Sequence, residues 1–343
     1  MLAPFKKGDF VTFLAPMQDI TDAGFMNIIA EFGSPDFYMA EYFRIHEYYY
    51  IDPYILEAVL SHPSGNQVVA QFIGEDEIYI AKATQELSKY EQIQMLDLNV
   101  GCPAPKIYKK NVGGGLLRDV KKIASILKVM RENWSKCLSV KMRLGFESDE
   151  QFEDILQVVL DAGVDFITVH GRTVRQLYRG QASYEKITKV ATQTDVPIIV
   201  NGDIDTAQKA YEISKNTECV GVMSGRHAVR NPWIFRQIKE RLNDKNVFEP
   251  TLEDVRVYVD KLWQNICHYA PRIKYADSRL KKFLNFVGVG VDSEGKFLYE
   301  MRRAKGIDEL MNVCDRHLTG SRADIKFNCL GYENLCSRPN HEK

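Results

Sequence analysis

The sequence predicts an α/β protein: a closed (β/α)8 (TIM) barrel followed by a smaller all-α helical C-terminal domain. Three observations carry this expectation. Eight short apolar or β-branched runs recur between residues 11 and 224. Amphipathic stretches with the length of crossover helices separate them, as at 75–90 and 205–215. Beyond residue 244 the strand pattern stops and helical periodicity takes over. Eight β-α units within about 225 residues fit a closed barrel better than an open, doubly wound sheet. The 343-residue chain leaves room for a helical appendage.

Strands are expected at 11–15, 37–40, 68–73, 95–99, 139–143, 166–170, 197–201 and 219–224. The second is the weakest, because the tyrosine-rich segment 47–54 fits neither the strand period nor the helix period. Further on, Thr251 precedes an amphipathic run and Asp254 stands at the capping-box position, so a helix is expected over 252–269. Others are expected over 272–287, 293–303 and 307–317. The domains then divide into a barrel at 1–244, a helical domain at 245–318 and a loosely packed polar tail at 319–343.

Hydrophobic residues make up 45% of the chain and charged residues 27%, the balance of a globular protein with a large core. No apolar run reaches the roughly 18 residues needed to span a bilayer, and the N-terminus lacks the apolar core of a secretory signal. A cytoplasmic protein with no membrane contact is expected. Seven cysteines without regular spacing imply reduced thiols. Cys314, Cys329, Cys336 and His341 include no close Cys-x-x-Cys pair, so no metal site is expected. Net charge is only −1, but residues 106–122 carry +5 and residues 271–282 carry +4. Lys106, Lys109 and Lys110 belong to the first cluster; Arg272, Lys274, Lys281 and Lys282 belong to the second. Such clusters make either a solvated helix face or an electrostatic footprint for nucleic acid.

Chemistry-bearing residues gather at the strand ends, the working end of a barrel. Leu98-Asn99-Val100-Gly101-Cys102-Pro103 sets a cysteine on a glycine-proline turn after the fourth strand. A thiol without a basic partner keeps its proton at neutral pH, which suits a proton donor better than a nucleophile. Lys141 on the fifth strand would face the barrel mouth, where a buried ammonium requires negative charge. The anionic edge of a reduced flavin supplies that charge. Gln71 and the Pro16-Met17 backbone are placed to border such a ring. His170-Gly171-Arg172-Thr173 ends the sixth strand, Asn201-Gly202-Asp203 the seventh and Ser224-Gly225-Arg226 the eighth. Glycines that admit close backbone approach, with Arg226 as a charged donor, read as a phosphate site.

Together with Ala15-Pro16-Met17 and Gly113-Gly114-Gly115-Leu116-Leu117, these motifs occur in the order seen in tRNA-dihydrouridine synthases. The chain resembles that family, in its bacterial type, over residues 14–226, and a helical C-terminal domain also fits it. The third glycine, Gly115, departs from the commoner alanine or serine. The resemblance implies FMN as cofactor, NADPH (or NADH) as reductant, and reduction of a specific D-loop uridine in tRNA to 5,6-dihydrouridine. It further implies hydride transfer from flavin N5 to uracil C6, with Cys102 giving a proton to C5 from the opposite face. FMN would be held by Pro16, Met17, Gln71, Lys141, His170, Asn201, Gly202, Asp203, Ser224, Gly225 and Arg226. Asn99 would orient the uracil, and Arg172 and Arg179 would meet uracil or phosphate.

The lysines and arginine of the two basic clusters would hold the tRNA, whose target base must leave its stack. Glu41-Tyr42-Phe43-Arg44 resembles the bacterial subfamilies that act at positions 16 or 17. A monomer is expected. Two other readings stay open. One is an FMN barrel oxidoreductase for a small molecule, of the dihydroorotate or ene-reductase type. The other is a non-catalytic tRNA-binding module.

Overall fold

The computed structural model describes residues 2–269, 276–332 and 335. Eight parallel strands close a barrel in sequence order. They are β1 (Val11–Leu14), β2 (Phe37–Arg44), β3 (Val68–Ile73), β4 (Met95–Val100), β5 (Cys137–Arg143), β6 (Phe166–His170), β7 (Ile198–Asn201) and β8 (Gly221–Ser224). Each overlaps its expected position. β2 differs most, running on to Arg44 instead of stopping at residue 40. After an irregularity between Met39 and Tyr42, residues 42–44 pair with Gln71, Phe72 and Ile73 of β3. Aromatic residues at successive positions hide this pairing from the period. The tyrosine-rich stretch beyond β2 leads into the helix Pro53–Leu60, capped by the Asp52 side chain on Tyr54 N–H.

Two-residue alternation sorts each strand into an inward and an outward row. One residue from every strand meets in a single apolar cluster: Phe13, Met39, Val69, Met95, Cys137, Phe166, Ile199 and Met223. Phe5, from the N-terminal segment, packs among them, its ring 5.8 Å from Phe13 and 5.2 Å from Phe166. Further along the same inward rows the residues turn polar. Gln71, Asp97, Ser139 and Thr168 come two positions on, as does Asn201 on β7; Asn99, Lys141 and His170 come four positions on. An apolar floor thus supports a polar mouth.

The outer helices follow from their spacing. Val120–Asn133 buries Ile123, Ile126, Leu127 and Met130, and Asp119 caps its first turn. Glu77–Ser88 does the same with Ile80, Ala83, Thr84 and Leu87 under an Asp76 cap.

The chain divides into two compact units. The first is the barrel unit, comprising Met1–Ala23, Asp36–Asp203 and Glu212–Ser224. The second takes Gly24–Pro35, Ile204–Tyr211 and Gly225–Lys343. The boundary expected at 244 therefore falls inside the second unit. That unit contains the helices Arg226–Arg230, Ile234–Leu242, Leu252–Tyr269, Ala276–Val287, Lys296–Arg303 and Gly306–Leu318. The expected capping box forms: Thr251 N–H donates to Asp254 Oδ2 at 2.7 Å, and Asp254 N–H donates to Thr251 Oγ1 at 3.3 Å.

The described part of the tail packs against its own unit, although its polar composition reads as loose. Lys326 bridges to Thr251, while Phe327 and Leu335 are buried. Among the described residues, no helix is long and apolar enough to cross a membrane. No cluster of three or more His, Cys, Asp or Glu side chains among them is arranged to hold a metal ion.

Candidate active site

β4 ends at Val100, and Cys102 follows two residues later, partly exposed and unbridged. Its turn is held from three directions. Asn99 Oδ1 accepts from Gly101 N–H at 3.0 Å and from Cys102 N–H at 2.9 Å. Arg143, only 2% exposed, donates from Nε to Gly101 O at 3.0 Å. Its Nη1 reaches Thr173 O and Leu177 O, both at 2.7 Å. Gly114 N–H donates to Cys102 O at 3.1 Å. Gly113 has φ 57°, and a Cβ there would stand 3.0 Å from Cys102 Cβ, so glycine is required. At the departing position, Gly115, a Cβ would come 2.5 Å from Tyr108 O. This chain's third glycine is matched to its own preceding loop.

Beneath the turn lies a buried network that the sequence reading missed. Asp97 is fully enclosed and accepts from Gln71 Nε2 and from Ser139 Oγ, each at 2.7 Å. Gln71 and Ser139 are its register neighbours on β3 and β5. Burial pushes the Asp97 carboxyl up to about 7, against the pull of these donors and of Lys141. The available signal was parity: Asp97 and Asn99 share one face of β4.

Two of the expected site residues take part in this network. Gln71, expected on the ring edge, is fully buried, with its amide N–H groups on Asp97 and on Met39 Sδ at 3.2 Å. Its Oε1 accepts from Asn99 Nδ2 at 2.9 Å, so it braces Asn99. Asn99, expected to orient the uracil, is chiefly committed to shaping the thiol turn. One of its N–H groups remains available.

Lys141 is partly buried, and its ammonium donates to Asn201 Oδ1 at 2.9 Å. Asn201 Nδ2 is anchored on Met223 O at 2.8 Å. Burial first, and then the nearby Arg143 charge, push the Lys141 ammonium down to about 8. His170 is 7% exposed and pairs in register with Asn201. Pro16 and Met17 follow β1 and are partly exposed, and Ser224 is buried at the end of β8. The Gly202 carbonyl accepts from the Tyr184 hydroxyl.

Arg172 lies deep in the loop after β6. It is 1% exposed and pairs with Asp203 Oδ2 at 2.6 Å, while also donating to the carbonyls of Arg179 (3.2 Å) and Gly180. A guanidinium so enclosed ties the loop after β6 to the end of β7, while its Nη1 has no hydrogen-bond partner. Arg179, on the same loop, is exposed.

Of the basic clusters, Lys106, Lys109 and Lys110 are exposed in the segment just beyond Cys102. Within the second unit, Gly225 precedes the helix Arg226–Arg230, and Arg226 donates to Leu335 O. Lys281 is half-buried, and its ammonium sits on Ala304 O at 2.5 Å and Arg302 O at 3.3 Å, closing the end of the helix Lys296–Arg303. Lys282 is half-buried and partnered. Arg272, Lys274, Cys336 and His341 lie outside the described residues.

Glu41 and Tyr42 are consecutive residues of β2. The Tyr42 hydroxyl donates to Gln18 Oε1 at 3.2 Å, and burial first, then the influence of Cys102, raises its pKa. Glu41 lies beside Asp19 and Asp22, and burial pushes its carboxyl up to about 7. Burial pushes the Cys219 thiol up to about 11 and the Cys314 thiol up to about 12, which leaves them inert.

A thiol braced at the strand ends, with a lysine ammonium nearby that burial disfavours, gives this (β/α)8 barrel a candidate active site at its mouth. Its fold is shared with the 6-hydroxypseudooxynicotine amine oxidase HisD of Pseudomonas geniculata. The two superimpose with a TM-score of 0.52 at 11% identity, over 71% of this chain and 49% of that one. The histamine dehydrogenase of a Rhizobium species is similar, with a TM-score of 0.51 at 12% identity, over 76% of this chain and 49% of that one.

Residues 13–299 match the family described as dihydrouridine synthase (Dus), and the chain belongs to that family. A probable tRNA-dihydrouridine synthase of Helicobacter pylori is 37% identical over 229 residues, covering 66% of this chain and 69% of the relative. The tRNA-dihydrouridine synthase B of Pasteurella multocida is 31% identical, covering 71% and 73%. The tRNA-dihydrouridine(16) synthase of Neisseria meningitidis is 28% identical over 308 residues, covering 88% and 92%.

Proposed function

We propose that this chain reduces a uridine of tRNA to 5,6-dihydrouridine, with FMN as its cofactor and NADPH or NADH as the reductant. The observation that carries this reading is the Asn99-built turn, which holds Cys102 at the barrel mouth within electrostatic reach of Lys141. The donor set fits a flavin. An ammonium pushed down to about 8 by burial gains from an anionic partner, and a reduced flavin ring is one. Lys141 and Asn201 would hold the ring, with Pro16, Met17 and His170 bordering it. Gly202, Asp203 and Ser224 would hold its phosphate.

The chemistry a bound flavin would supply is a hydride for C6 of the uracil. Cys102 keeps its proton until that point and then releases it to C5. Asn99 and Arg143 hold the backbone on both sides of the turn, so the sulfur stays aimed at one position. The remaining Asn99 N–H and the exposed Arg179 guanidinium are the donors open to the base. Lys106, Lys109 and Lys110 meet backbone phosphates, and the target base reaches the mouth only after extrusion from its stack.

Cys102→Ala is expected to keep bound flavin and tRNA affinity while losing dihydrouridine formation by about 10²-fold or more. The assay uses unmodified tRNA and NADPH. Normal product formation in the variant would remove Cys102 as proton donor. A parent protein that takes up no FMN, or that reduces no tRNA, would remove the reading itself.

A further inference from the structure

A primary amide has an accepting end and a donating end, so a buried one serves its neighbours in a single orientation. The thiol turn needs an acceptor: Gly101 N–H and Cys102 N–H both donate to Asn99 Oδ1, at 3.0 and 2.9 Å. Asn99 Nδ2 must then face inward, where it donates to Gln71 Oε1 at 2.9 Å. Gln71 Nε2 in turn donates to Asp97 Oδ2 at 2.7 Å and to Met39 Sδ at 3.2 Å. A thioether can accept but cannot donate. The carboxyl accepts whether ionised or protonated, because the Ser139 hydroxyl, 2.7 Å from Asp97 Oδ1, can either give it a hydrogen bond or take one. Neighbouring strands keep these groups in register: Gln71 lies opposite Asp97, and Asp97 opposite Ser139. Gln71 and Asp97 are fully buried and Asn99 is 7% exposed, so water offers no alternative partner that would let an amide turn over.

We propose that Asp97 is a positioning residue for Cys102: as the acceptor at the buried end of this relay, it fixes the direction of the Gln71 and Asn99 amides and thereby holds the thiol turn. The proposal rests on the reading of Cys102 as the proton donor. No proton moves along the relay; only the direction of its hydrogen bonds is set. Without the acceptor, a buried N–H of Gln71 has lost its carboxyl partner, and nothing at that end opposes reversal of the amide. Once Asn99 turns over with it, its NH2 group opposes the N–H groups of Gly101 and Cys102, and the turn is released. A sulfur no longer held in place loses rate rather than substrate affinity.

Asp97→Leu removes the acceptor at similar shape. Asp97→Asn keeps one, since its Oδ1 can take the Gln71 N–H while its Nδ2 donates to Ser139. Gln71→Met cuts the relay in the middle. Two measurements read the outcome. One is hydrogen–deuterium exchange at the Gly101 and Cys102 amides, followed by mass spectrometry on the peptide that carries them. The other is kcat and KM for tRNA. Asp97→Leu is expected to exchange these amides about tenfold faster and to lose kcat about tenfold, with KM within about twofold of the parent. Asp97→Asn is expected to restore slow exchange and most of kcat. Because Asp97 acts through Gln71, adding Asp97→Leu to Gln71→Met is expected to cause no further loss, whereas independent packing defects would multiply. A multiplied loss, parent-like exchange in Asp97→Leu, or an Asp97→Asn variant as impaired as Asp97→Leu overturns the proposal. Where Asp97→Leu alone does not fold, Gln71→Met carries the test, and parent-like exchange there overturns the proposal as well. Exchange requires neither tRNA nor turnover. A parent protein that makes no dihydrouridine would therefore sink the functional reading while exchange still decided the relay.

Discussion

A carboxyl enclosed between Gln71 and Ser139 carries an electrostatic cost when ionised, and at Asp97 the folded chain answers by favouring the proton. The group's ordinary value is 3.8, and burial takes it to about 7. Between those pH values the folded chain binds more protons than the unfolded one, so stability falls as pH rises through the window. The contribution is on the order of 4 kcal/mol at full ionisation. Asp97→Asn removes the charge and is expected to flatten this dependence. Urea unfolding at about pH 4.5 and about pH 7.5 tests it, with the parent losing more stability than the variant between the two. Parallel behaviour would return Asp97 to an ordinary carboxylate. Lys141 obeys the opposite rule. Its lowered value disfavours the fold below about 8, a cost that an anionic partner at the mouth would remove.

Among the elements, the C-terminal helices show both what local pattern encodes and where it stops. Thr251 and Asp254 close their capping box because both partners lie within one turn, and the pattern is readable at once. Lys281 belongs to a charge cluster that reads as an RNA footprint, yet its ammonium satisfies the carbonyls of Arg302 and Ala304 at the end of another helix. A cation there also complements the helix dipole. Lys281→Met is expected to lower stability by about 1 kcal/mol and to leave tRNA affinity unchanged. Thermal unfolding and a binding titration decide it: a large loss of affinity at constant stability would restore the lysine to the RNA surface.

For the whole molecule, a net charge of −1 means that any attraction to tRNA is local. In the first cluster, Lys122 is paired with Glu77 at 2.7 Å and Arg118 donates to Tyr108 O and Asn111. The exposed charges that remain include Lys106, Lys109 and Lys110, just past the thiol turn. Replacing all three with glutamate is expected to weaken tRNA binding and to reduce the slope of log affinity against log salt by about two. An unchanged slope would make them a solvated face.

The sequence alone determined the closed barrel, the eight strand positions, the C-terminal helices, and the placement of Cys102 and Lys141 at strand ends. Those features rest on period, capping and turn chemistry, all of which act within a few residues. It left open which polar side chains are exposed and which are already committed. Gln71 meets Asp97, Lys141 meets Asn201 and Lys281 meets Ala304 across 26, 60 and 23 residues of chain. Arg172 is held by Asp203, 31 residues away. Tyr42 pairs with Gln71 only because β2 runs past its apparent end along β3. Only the tertiary structure decided these matters, because a hydrogen bond depends on where folding brings its two partners, and neither partner's local pattern records the other.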